Sequence, residues 1–257
     1  MVLALSVLPN FCMMFLLLAT PRLGPRRSAS SVRSLASLSA SPASFDHHMK
    51  ATKTFHYVTA PMVAQSELAF RLLTARYGST MSYTQMLHAR NFVASKRYRR
   101  ENYDFDRALG LEGLASTGKP VIAQLAGDDV STMVQAAKIL EASGVDAIDV
   151  NLGCPQAIAR KGNYGAYLGR QADAACGILA AMKGAVSTPI TAKVRIQPDL
   201  ETTLRICREI EKTGVSMMTV HGRTLEENKT ATKCANWDAI KAVVEALDIP
   251  VIGNGGM

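Results

Sequence analysis

The sequence predicts an α/β fold, a TIM (β/α)8 barrel that is incomplete at its C-terminal end. From Thr54 onward, short β-branched runs alternate with amphipathic stretches of helical length, which is typical of parallel strands joined by crossover helices. Polar residues also follow the ends of these runs. In a barrel all strand ends share one rim, whereas an open doubly wound sheet gathers them at one switch point. Since several separate strands each contribute a polar residue, the barrel is favoured.

The predicted elements follow one another in simple alternation. The strands are His56–Met62, Thr80–Tyr83, Val121–Leu125, Ala147–Asn151, Ile190–Ile196, Met217–Val220 and Val251–Asn254. The helices are Glu67–Tyr77, Ser131–Ser143, Asp173–Lys183, Glu201–Thr213 and Trp237–Ala246. Gly78, Gly144 and Gly214 stand where helices should end, each just before a strand. About seven strands are therefore present, one fewer than a closed barrel of this type contains.

The first fifty residues differ in composition from the rest. Met1–Ala19 is apolar, but its unbroken part, Phe11–Ala19, is shorter than the roughly 20 residues that span a bilayer. Pro21–Phe45 is rich in Ser, Ala and Arg and contains no acidic residue, a composition typical of organelle transit peptides. We predict an unstructured targeting segment over residues 1–50 and a catalytic barrel domain over residues 51–257. The expected location is a mitochondrion or plastid, with the cytoplasm as the alternative, and no membrane span is expected.

Composition excludes several classes of protein. The 29 Lys and Arg against 21 Asp and Glu give a net charge of +8, which is compatible with a polyanionic partner without requiring one. The five cysteines are scattered, with no Cys-x-x-Cys pair, so neither a disulfide scaffold nor a zinc site is expected, and no metal is predicted. Neither a Walker phosphate loop nor a Gly-x-Gly-x-x-Gly fingerprint occurs, which argues against kinases and Rossmann dehydrogenases.

The most informative local feature is the segment Asp149–Gln156, DVNLGCPQ, at the end of a predicted strand. Cys154 stands between Gly and Pro on a stiff loop that should face the rim. A buried structural thiol is the alternative interpretation, since most free cysteines are buried. The nearby Asn151 and Lys161 favour a functional role, whereas Cys176 and Cys207 fall within helices and are expected in the core.

Charged and glycine-rich residues follow the later strands. Lys193 and Arg195 lie on the same side of their strand, where two cations suit an anionic or electron-rich ligand, although a solvated strand end is equally compatible. His221 and Arg223 follow the next strand. After the last strand, Gly253–Gly256 resembles the start of a backbone phosphate cradle.

Taken together, these motifs resemble those of the tRNA-dihydrouridine synthase family. APMVAQSELAFRLL, YTQMLHA, DVNLGCPQAIARKGNYGAYL, AKVRI, TVHGRT and GNGG occur in the order found there, over about four-fifths of the chain. The finer pattern is similar to the eukaryotic subfamily that acts on D-loop uridines sixteen and seventeen. The resemblance implies an FMN enzyme, supplied with electrons by NADPH or NADH, that reduces the C5–C6 double bond of uracil in tRNA.

The resemblance also implies site roles. Cys154 would be the catalytic proton donor. The residues implied to bind FMN are Pro61, Met62, Gln124, Asn151, Lys193, His221, Asn254, Gly255 and Gly256. Arg195, Arg223 and Lys161 are candidates for binding RNA or phosphate. The protein is expected to bind tRNA as a monomer.

Two other functions remain open. An FMN dehydrogenase of free pyrimidines, of the dihydroorotate or dihydropyrimidine type, uses a related barrel and loop. A non-catalytic RNA-binding relic is the second alternative. The family's eighth strand and C-terminal helical tRNA-binding domain are expected to be absent, since the sequence ends at Met257.

Overall fold

The structure, a computed structural model, describes residues 14–15, 45, 56–105, 119–227 and 234–255. Most of the predicted targeting segment and Gly256 lie outside these residues. Within the described part of the chain, no helix is both long and apolar enough to cross a bilayer.

In the part of the chain that the structure describes, nine short strands form one sheet. They are β1 (Met14–Phe15), β2 (Tyr57–Thr59), β3 (Met81–Tyr83), β4 (Leu87–His88), β5 (Val121–Ala126), β6 (Ala147–Leu152), β7 (Ile190–Arg195), β8 (Met217–His221) and β9 (Val251–Asn254). All seven predicted strands are present. The first is shorter than predicted, because the chain leaves the sheet at Ala60 and turns at residues 63–65.

The helices pack on the sheet and connect its strands. They are α1 (Leu68–Arg76), α2 (Ala89–Ala94), α3 (Lys96–Asn102), α4 (Val130–Ser143), α5 (Ala157–Lys161), α6 (Ala166–Gly169), α7 (Ala172–Ala185), α8 (Leu200–Lys212) and α9 (Trp237–Ala246). The five predicted helices are confirmed as α1, α4, α7, α8 and α9. Four short helices were missed, because segments of four to seven residues contain too few turns to show a helical period.

Local signals at the helix ends explain why these boundaries hold. The side chains of Asp129 and Asp199 each accept a hydrogen bond from the backbone N–H three residues later, at 2.8 and 2.7 Å. They therefore cap the N-termini of α4 and α8. Gly78, Gly144 and Gly214 have φ values of +98°, +84° and +85°. These left-handed conformations confirm the predicted helix ends, since residues with a Cβ rarely adopt them.

The sheet runs in the order β1-β2-β3-β5-β6-β7-β8-β9, with β4 paired to β5. From β2 to β9 neighbouring strands are parallel, and β1 pairs antiparallel with β2. The sheet is curled, because the Tyr83 hydroxyl of β3 lies 3.1 Å from the Thr219 hydroxyl of β8, although three strands separate them in the sheet. This arrangement is a partial (β/α) barrel, as predicted.

Two apolar clusters lie on the two faces of the curled sheet. The larger cluster fills the space between the strands and the helices, and contains Val121, Ile148 and Met218. The smaller cluster lies on the inner face and contains Met81, Ile122 and Met217. Since side chains alternate along a strand, the inner face also receives the residues two and four positions further along each strand. Those residues form the site described next.

Candidate active site inside the curled sheet

Strand register places polar residues, three of them predicted from the sequence, in two adjacent layers. Gln124, Asp149 and Thr191 are register partners on β5, β6 and β7. One layer closer to the carboxyl ends of the strands, Asn151, Lys193 and Thr219 are register partners. Side chains from four strands therefore point into one space.

Arg195, His221 and Asn254 form a third register row at the rim. His221 and Asn254 each lie two positions after an inner-face residue on the same strand, so their side chains lie on the inner face as well. The predicted gathering of residues from separate strands is therefore observed. Gln124 and Lys193 lie within their strands rather than past their ends.

Asp149 is the fully buried charge of the lower layer. One carboxylate oxygen accepts a hydrogen bond from Gln124 Nε2 at 2.8 Å, and the other accepts one from the Thr191 hydroxyl at 2.7 Å. Burial raises the pKa of Asp149 to about 6, and these two hydrogen bonds together with the Lys193 ammonium oppose a larger rise. Asp149 is therefore ionised at neutral pH, with both of its oxygens engaged.

Tyr83 lies against this charge from the opposite side of the curled sheet. Its side chain is fully buried, and burial together with the charge of Asp149 raises the pKa of the hydroxyl well above 10.0. The phenol is therefore neutral and available only as a hydrogen-bonding group.

Asn151 connects the lower layer to the loop that carries Cys154. Its Nδ2 donates to Gln124 Oε1 at 2.8 Å and approaches Met86 Sδ at 3.3 Å. Its Oδ1 accepts hydrogen bonds from the backbone N–H groups of Gly153 and Cys154, at 3.1 and 2.9 Å. The side chain of Asn151 thus fixes the backbone on which the thiol stands.

Cys154 is half-buried and packs beside a small apolar cluster that contains Ala126, Ala159 and Tyr164. The loop lies so close to Gly165 that a Cβ there would meet the carbonyl oxygen of Cys154 at 2.6 Å and its Cβ at 2.9 Å. Burial, and then the proximity of Cys154, raises the pKa of the Tyr164 hydroxyl. The thiol is thus confined on one side and partly accessible on the other.

Of the two cysteines that were predicted to lie in the core, Cys207 is there, whereas Cys176 is only partly buried against its edge. Cys207 is buried in α8, and burial raises its pKa to about 12. Cys176 is half-buried in α7, and burial also raises its pKa. Neither combines the loop position and the accessibility of Cys154.

His221 is the neutral member of a group that is otherwise basic. Burial, followed by the charges of Lys193, Arg195 and Arg223, lowers its pKa to about 2. Among the described residues, its Nε2 atom is buried and has no hydrogen-bond partner. Gly255 has a φ of +117°, and a Cβ at that position would lie 2.8 Å from this same nitrogen.

The two predicted cations at the end of β7 have different surroundings. Lys193 Nζ donates to Asn254 Oδ1 at 2.9 Å, inside the curled sheet. Arg195 donates from Nε to the carbonyl of Gly153 at 2.7 Å and from Nη1 to the carbonyl of Thr224 at 3.0 Å. Arg195 therefore holds two rim loops together, including the one that carries Cys154.

Pro61 and Met62 are half-buried in the loop after β2. The N–H of Met62 donates to the Ser66 hydroxyl at 2.9 Å, and this hydroxyl donates back to the carbonyl of Met62 at 3.0 Å. The fully buried Arg71 donates to the Ser66 carbonyl at 2.8 Å and pairs with Asp104 at 2.9 Å. The loop is thus fixed by its own backbone contacts and by a buried arginine.

Arg160 and Lys161 end α5, which begins three residues after Cys154, and both are exposed. Arg223 is half-buried at the rim. The structure therefore brings most of the predicted residues to one end of the sheet, with Lys161 on the surface beside them.

The sequence reasoning did not single out Asp149, Thr191, Tyr83 or Thr219. A signal was present, because Asp149, Thr191 and Thr219 each stand two positions before a predicted site residue on the same strand. That spacing places both residues on one face. Tyr83 has no such partner, and only the curl of the sheet brings it to Thr219.

The fold and the site define the class of protein: it has a partial (β/α) barrel whose polar residues converge at the carboxyl ends of its strands. The fold is also seen in a solved structure of 2,3-dimethylmalate lyase, with a TM-score of 0.51 over 82% of this chain and 70% of the other, at 13% identity. A model of the dihydrouridine synthase family matches residues 58–257. The chain belongs to this family.

Relatives within the family identify the subfamily that the chain resembles. A rat tRNA-dihydrouridine(16/17) synthase [NAD(P)(+)]-like protein is 41% identical over 83% of this chain and 47% of its own length. The tRNA-dihydrouridine(16/17) synthase [NAD(P)(+)] of Saccharomyces cerevisiae is 41% identical over 72% of this chain and 42% of its own. A human tRNA-dihydrouridine(20a/20b) synthase [NAD(P)+]-like protein is 36% identical over 77% of this chain and 59% of its own length. The predicted resemblance to the 16/17 subfamily is confirmed, and the chain spans less than half the length of the rat and yeast relatives.

Proposed function

We propose that the protein forms dihydrouridine in tRNA by reducing the C5–C6 double bond of D-loop uridines sixteen and seventeen. The observation that carries this proposal is the position of Cys154. Its thiol stands on a loop fixed by Asn151 and Arg195, beside a space lined by residues from several strands. Family membership gives the reaction class, and this loop gives a residue able to take part in it.

Cys154 is proposed as the group that protonates C5 of the uracil. A thiol is an acid of moderate pKa that can donate a proton at neutral pH, and general acid catalysis of this kind contributes about 10²- to 10⁴-fold to a rate. A uridine must leave its base stack to reach the thiol, so the space beside Cys154 has to admit a flipped base. Met86 and Tyr167, which pack at the cluster beside Cys154, are apolar surfaces suited to a base.

The residues at the rim fit FMN in two respects. The unpartnered Nε2 of the buried His221 can bond a ligand atom, and the left-handed Gly255 leaves space for one beside it. The Lys193 ammonium supplies positive charge in the adjacent layer of the site, where it bonds Asn254 of the rim. When bound, FMN would accept electrons from NADPH or NADH and supply the hydride for uracil.

The roles proposed for individual residues toward FMN follow from these surroundings. Lys193 would stabilise negative charge on the bound flavin, and His221, Asn254, Gly255 and Gly256 would lie at its ribityl-phosphate arm. Pro61 and Met62 would lie against the ring system. Asn151 and Gln124 would act at the polar edge of the ring, although Gln124 is fully buried and its amide already binds Asp149 and Asn151.

Binding of tRNA is proposed to involve the surface beside the rim. Lys161 is the exposed candidate there, and Arg195 and Arg223 lie closer to the site. A net charge of +8 is compatible with a polyanionic partner. We propose that the protein acts as a monomer, with residues 1–50 directing it to a mitochondrion or plastid.

The test is an assay of the purified full chain with FMN, NADPH and a tRNA transcript that contains no dihydrouridine. Parallel reactions contain free uracil or orotate in place of the tRNA. We expect dihydrouridine in the transcript, at positions 16 and 17 by mass spectrometry, and no reduction of either free pyrimidine. Reduction of free pyrimidine alone would replace the proposal with a pyrimidine dehydrogenase, and tRNA binding without product would replace it with an RNA-binding relic.

A further inference from the structure

We propose that Asp149 is a positioning residue: its carboxylate sets the direction of a hydrogen-bond chain, through Gln124 and Asn151, that fixes the backbone of Cys154. The chain has three links. Gln124 donates to Asp149 at 2.8 Å, Asn151 donates to Gln124 at 2.8 Å, and Cys154 donates to Asn151 at 2.9 Å. Where it concerns catalysis, this inference rests on the proposed function.

The direction of the chain follows from its two ends. A carboxylate can only accept hydrogen bonds, and a backbone N–H can only donate one. Each amide between them has one face that donates and one that accepts. Only one arrangement therefore satisfies all links: the NH₂ of Gln124 faces Asp149, and the NH₂ of Asn151 faces Gln124.

Reversing the direction of these hydrogen bonds would leave the backbone of the Cys154 loop without its acceptor. If both amides turned over, the NH₂ of Asn151 would face the N–H groups of Gly153 and Cys154, and these partly buried donors would lose their acceptor. The Asp149 carboxylate opposes that arrangement, because it is placed as an acceptor for both Gln124 Nε2 and the Thr191 hydroxyl and would then face the oxygen of Gln124. Its other oxygen is held by Thr191, so the carboxylate itself cannot rotate freely.

The surroundings of Asp149 explain why a charge is retained there. Burial disfavours the charge, but Gln124, Thr191 and the Lys193 ammonium stabilise it, and Tyr83 lies close enough for its own pKa to rise in response. A buried carboxylate costs stability unless its partners are well placed. The benefit we infer is a single orientation for two amides and, through them, for the thiol loop.

Asp149→Asn is the variant that tests direction without changing shape. An amide at position 149 can present either its oxygen or its NH₂ to Gln124, so only the hydrogen bonds from the N–H groups of Gly153 and Cys154 then oppose the reversed arrangement. We expect the amide hydrogens of Gly153 and Cys154 to exchange about tenfold faster, the equivalent of one lost hydrogen bond. The rate of alkylation of Cys154 by iodoacetamide should change in the same variant. Both measurements are made on the full chain with no cofactor added.

A second substitution should restore the direction. In Asp149→Asn combined with Gln124→Glu, the carboxylate lies at position 124 instead of 149. There it can accept hydrogen bonds both from Asn151 and from the new amide at position 149. Exchange at Cys154 should return to within about twofold of the original protein. If Asp149 only fills space, the double variant should not recover the slow amide exchange at Cys154.

Two further variants complete the experiment. Thr219→Val removes a buried hydroxyl from the same face of the sheet. Thr219 is not part of the hydrogen-bond chain, so amide exchange at Cys154 should be unchanged. Gln124→Met interrupts the middle link while keeping Asp149, and it should accelerate exchange even if Asp149→Asn does not fold.

Unchanged exchange in Asp149→Asn, or in Gln124→Met if the first variant does not fold, would overturn the inference, as would a double variant that shows no rescue. In the tRNA assay, Asp149→Asn should lower kcat with little change in KM for tRNA. If the original protein forms no dihydrouridine while the exchange results hold, the proposed function fails and the positioning role stands.

Discussion

At the scale of single residues, the site depends on what burial does to each titratable group. Asp149 keeps its charge because two donors and a nearby ammonium offset the cost of burial, and His221 loses its charge because it is buried among cations. Cys154 differs from both, since it is half-buried on a loop whose backbone is held by side chains. The reaction at this site should therefore depend on Cys154 and on no other described cysteine.

The first prediction concerns that thiol. Cys154→Ala should lower the rate of dihydrouridine formation by about 10²- to 10⁴-fold, because the proton donor is lost while the fold is kept. The rate is measured by mass spectrometry of tRNA digests. Cys176→Ala is the matched control, since Cys176 is equally half-buried but lies in α7, and it should retain activity. Equal loss in both variants would contradict the role of Cys154.

The second prediction concerns His221 and acid. The folded-state pKa of about 2 lies below the ordinary value of 6.5, so the unfolded chain binds a proton more readily, and stability is lost as pH falls below 6.5. His221→Gln removes this effect. Relative to the original protein, the variant should gain about 2 kcal/mol in free energy of unfolding between pH 7.5 and pH 5.

Urea denaturation at the two pH values provides the measurement. Asp149 acts in the opposite sense, because its raised pKa lets the folded protein take up a proton as pH falls through about 6. The comparison between variant and original cancels this contribution. A constant difference in free energy across the pH range would show that His221 is not buried in its neutral form.

At the scale of elements, the loops that follow the strands are fixed by close approach and by side chains from their neighbours. Arg195 at the end of β7 bonds the loop after β6, and Gly165 lets the chain before α6 pack against the same loop. The positions of the main helices and strands were readable from periodicity and from helix-ending glycines. The contacts between loops were not, because they join residues that are far apart in sequence, such as Arg195 and Gly153.

The third prediction tests this close packing. Gly165→Ala should lower the free energy of unfolding by about 1–3 kcal/mol, because the position has a φ of +65° and a Cβ would collide with Cys154. Gly177→Ala is the control, since Gly177 lies inside α7 with open space around it and should become more stable by about 0.5–1 kcal/mol. Thermal and urea unfolding measure both. Similar stability in the two variants would show that the loop can move away from Gly165.

The site itself was predictable in part. Asn151, Lys193 and His221 were found because polar residues at the ends of apolar runs stand out in the sequence. Asp149 and Thr191 were missed, because a polar residue within a strand is visible only once the register pairs it with a neighbour. The same limit applies to Gln124, whose burial within β5 could not be read from its place near the end of a run.

At the scale of the whole molecule, a partial barrel brings one end of its parallel strands together and places the exposed Arg160 and Lys161 beside them. The curl of the sheet is what converts residues from separate strands into one site, as the contact between Tyr83 and Thr219 demonstrates. The fold class was predictable because alternation of strands and helices allows few other topologies. The length of the first strand and the four short helices were set by local turns that leave little trace in the sequence.

The fourth prediction concerns tRNA binding. Arg160→Gln combined with Lys161→Gln should weaken binding and reduce the slope of log K against log salt by about two, since each cation neutralises about one phosphate. Lys241→Gln is the control, because Lys241 is also exposed but lies on α9 and pairs with Glu245 there. Filter binding over a range of salt concentrations gives both slopes. Equal slopes for all three proteins would place the RNA elsewhere.

The most direct test of the proposed function is position-resolved mass spectrometry of dihydrouridine in tRNA from cells that lack this gene. Organellar and cytosolic tRNA are analysed separately, after complementation with either the original sequence or Cys154→Ala. We predict loss of dihydrouridine at D-loop positions 16 and 17, restored by the original sequence and not by the variant. The tRNA pool that is affected would identify the compartment. Unchanged dihydrouridine in every pool, in cells with no second gene of this family, would contradict the account.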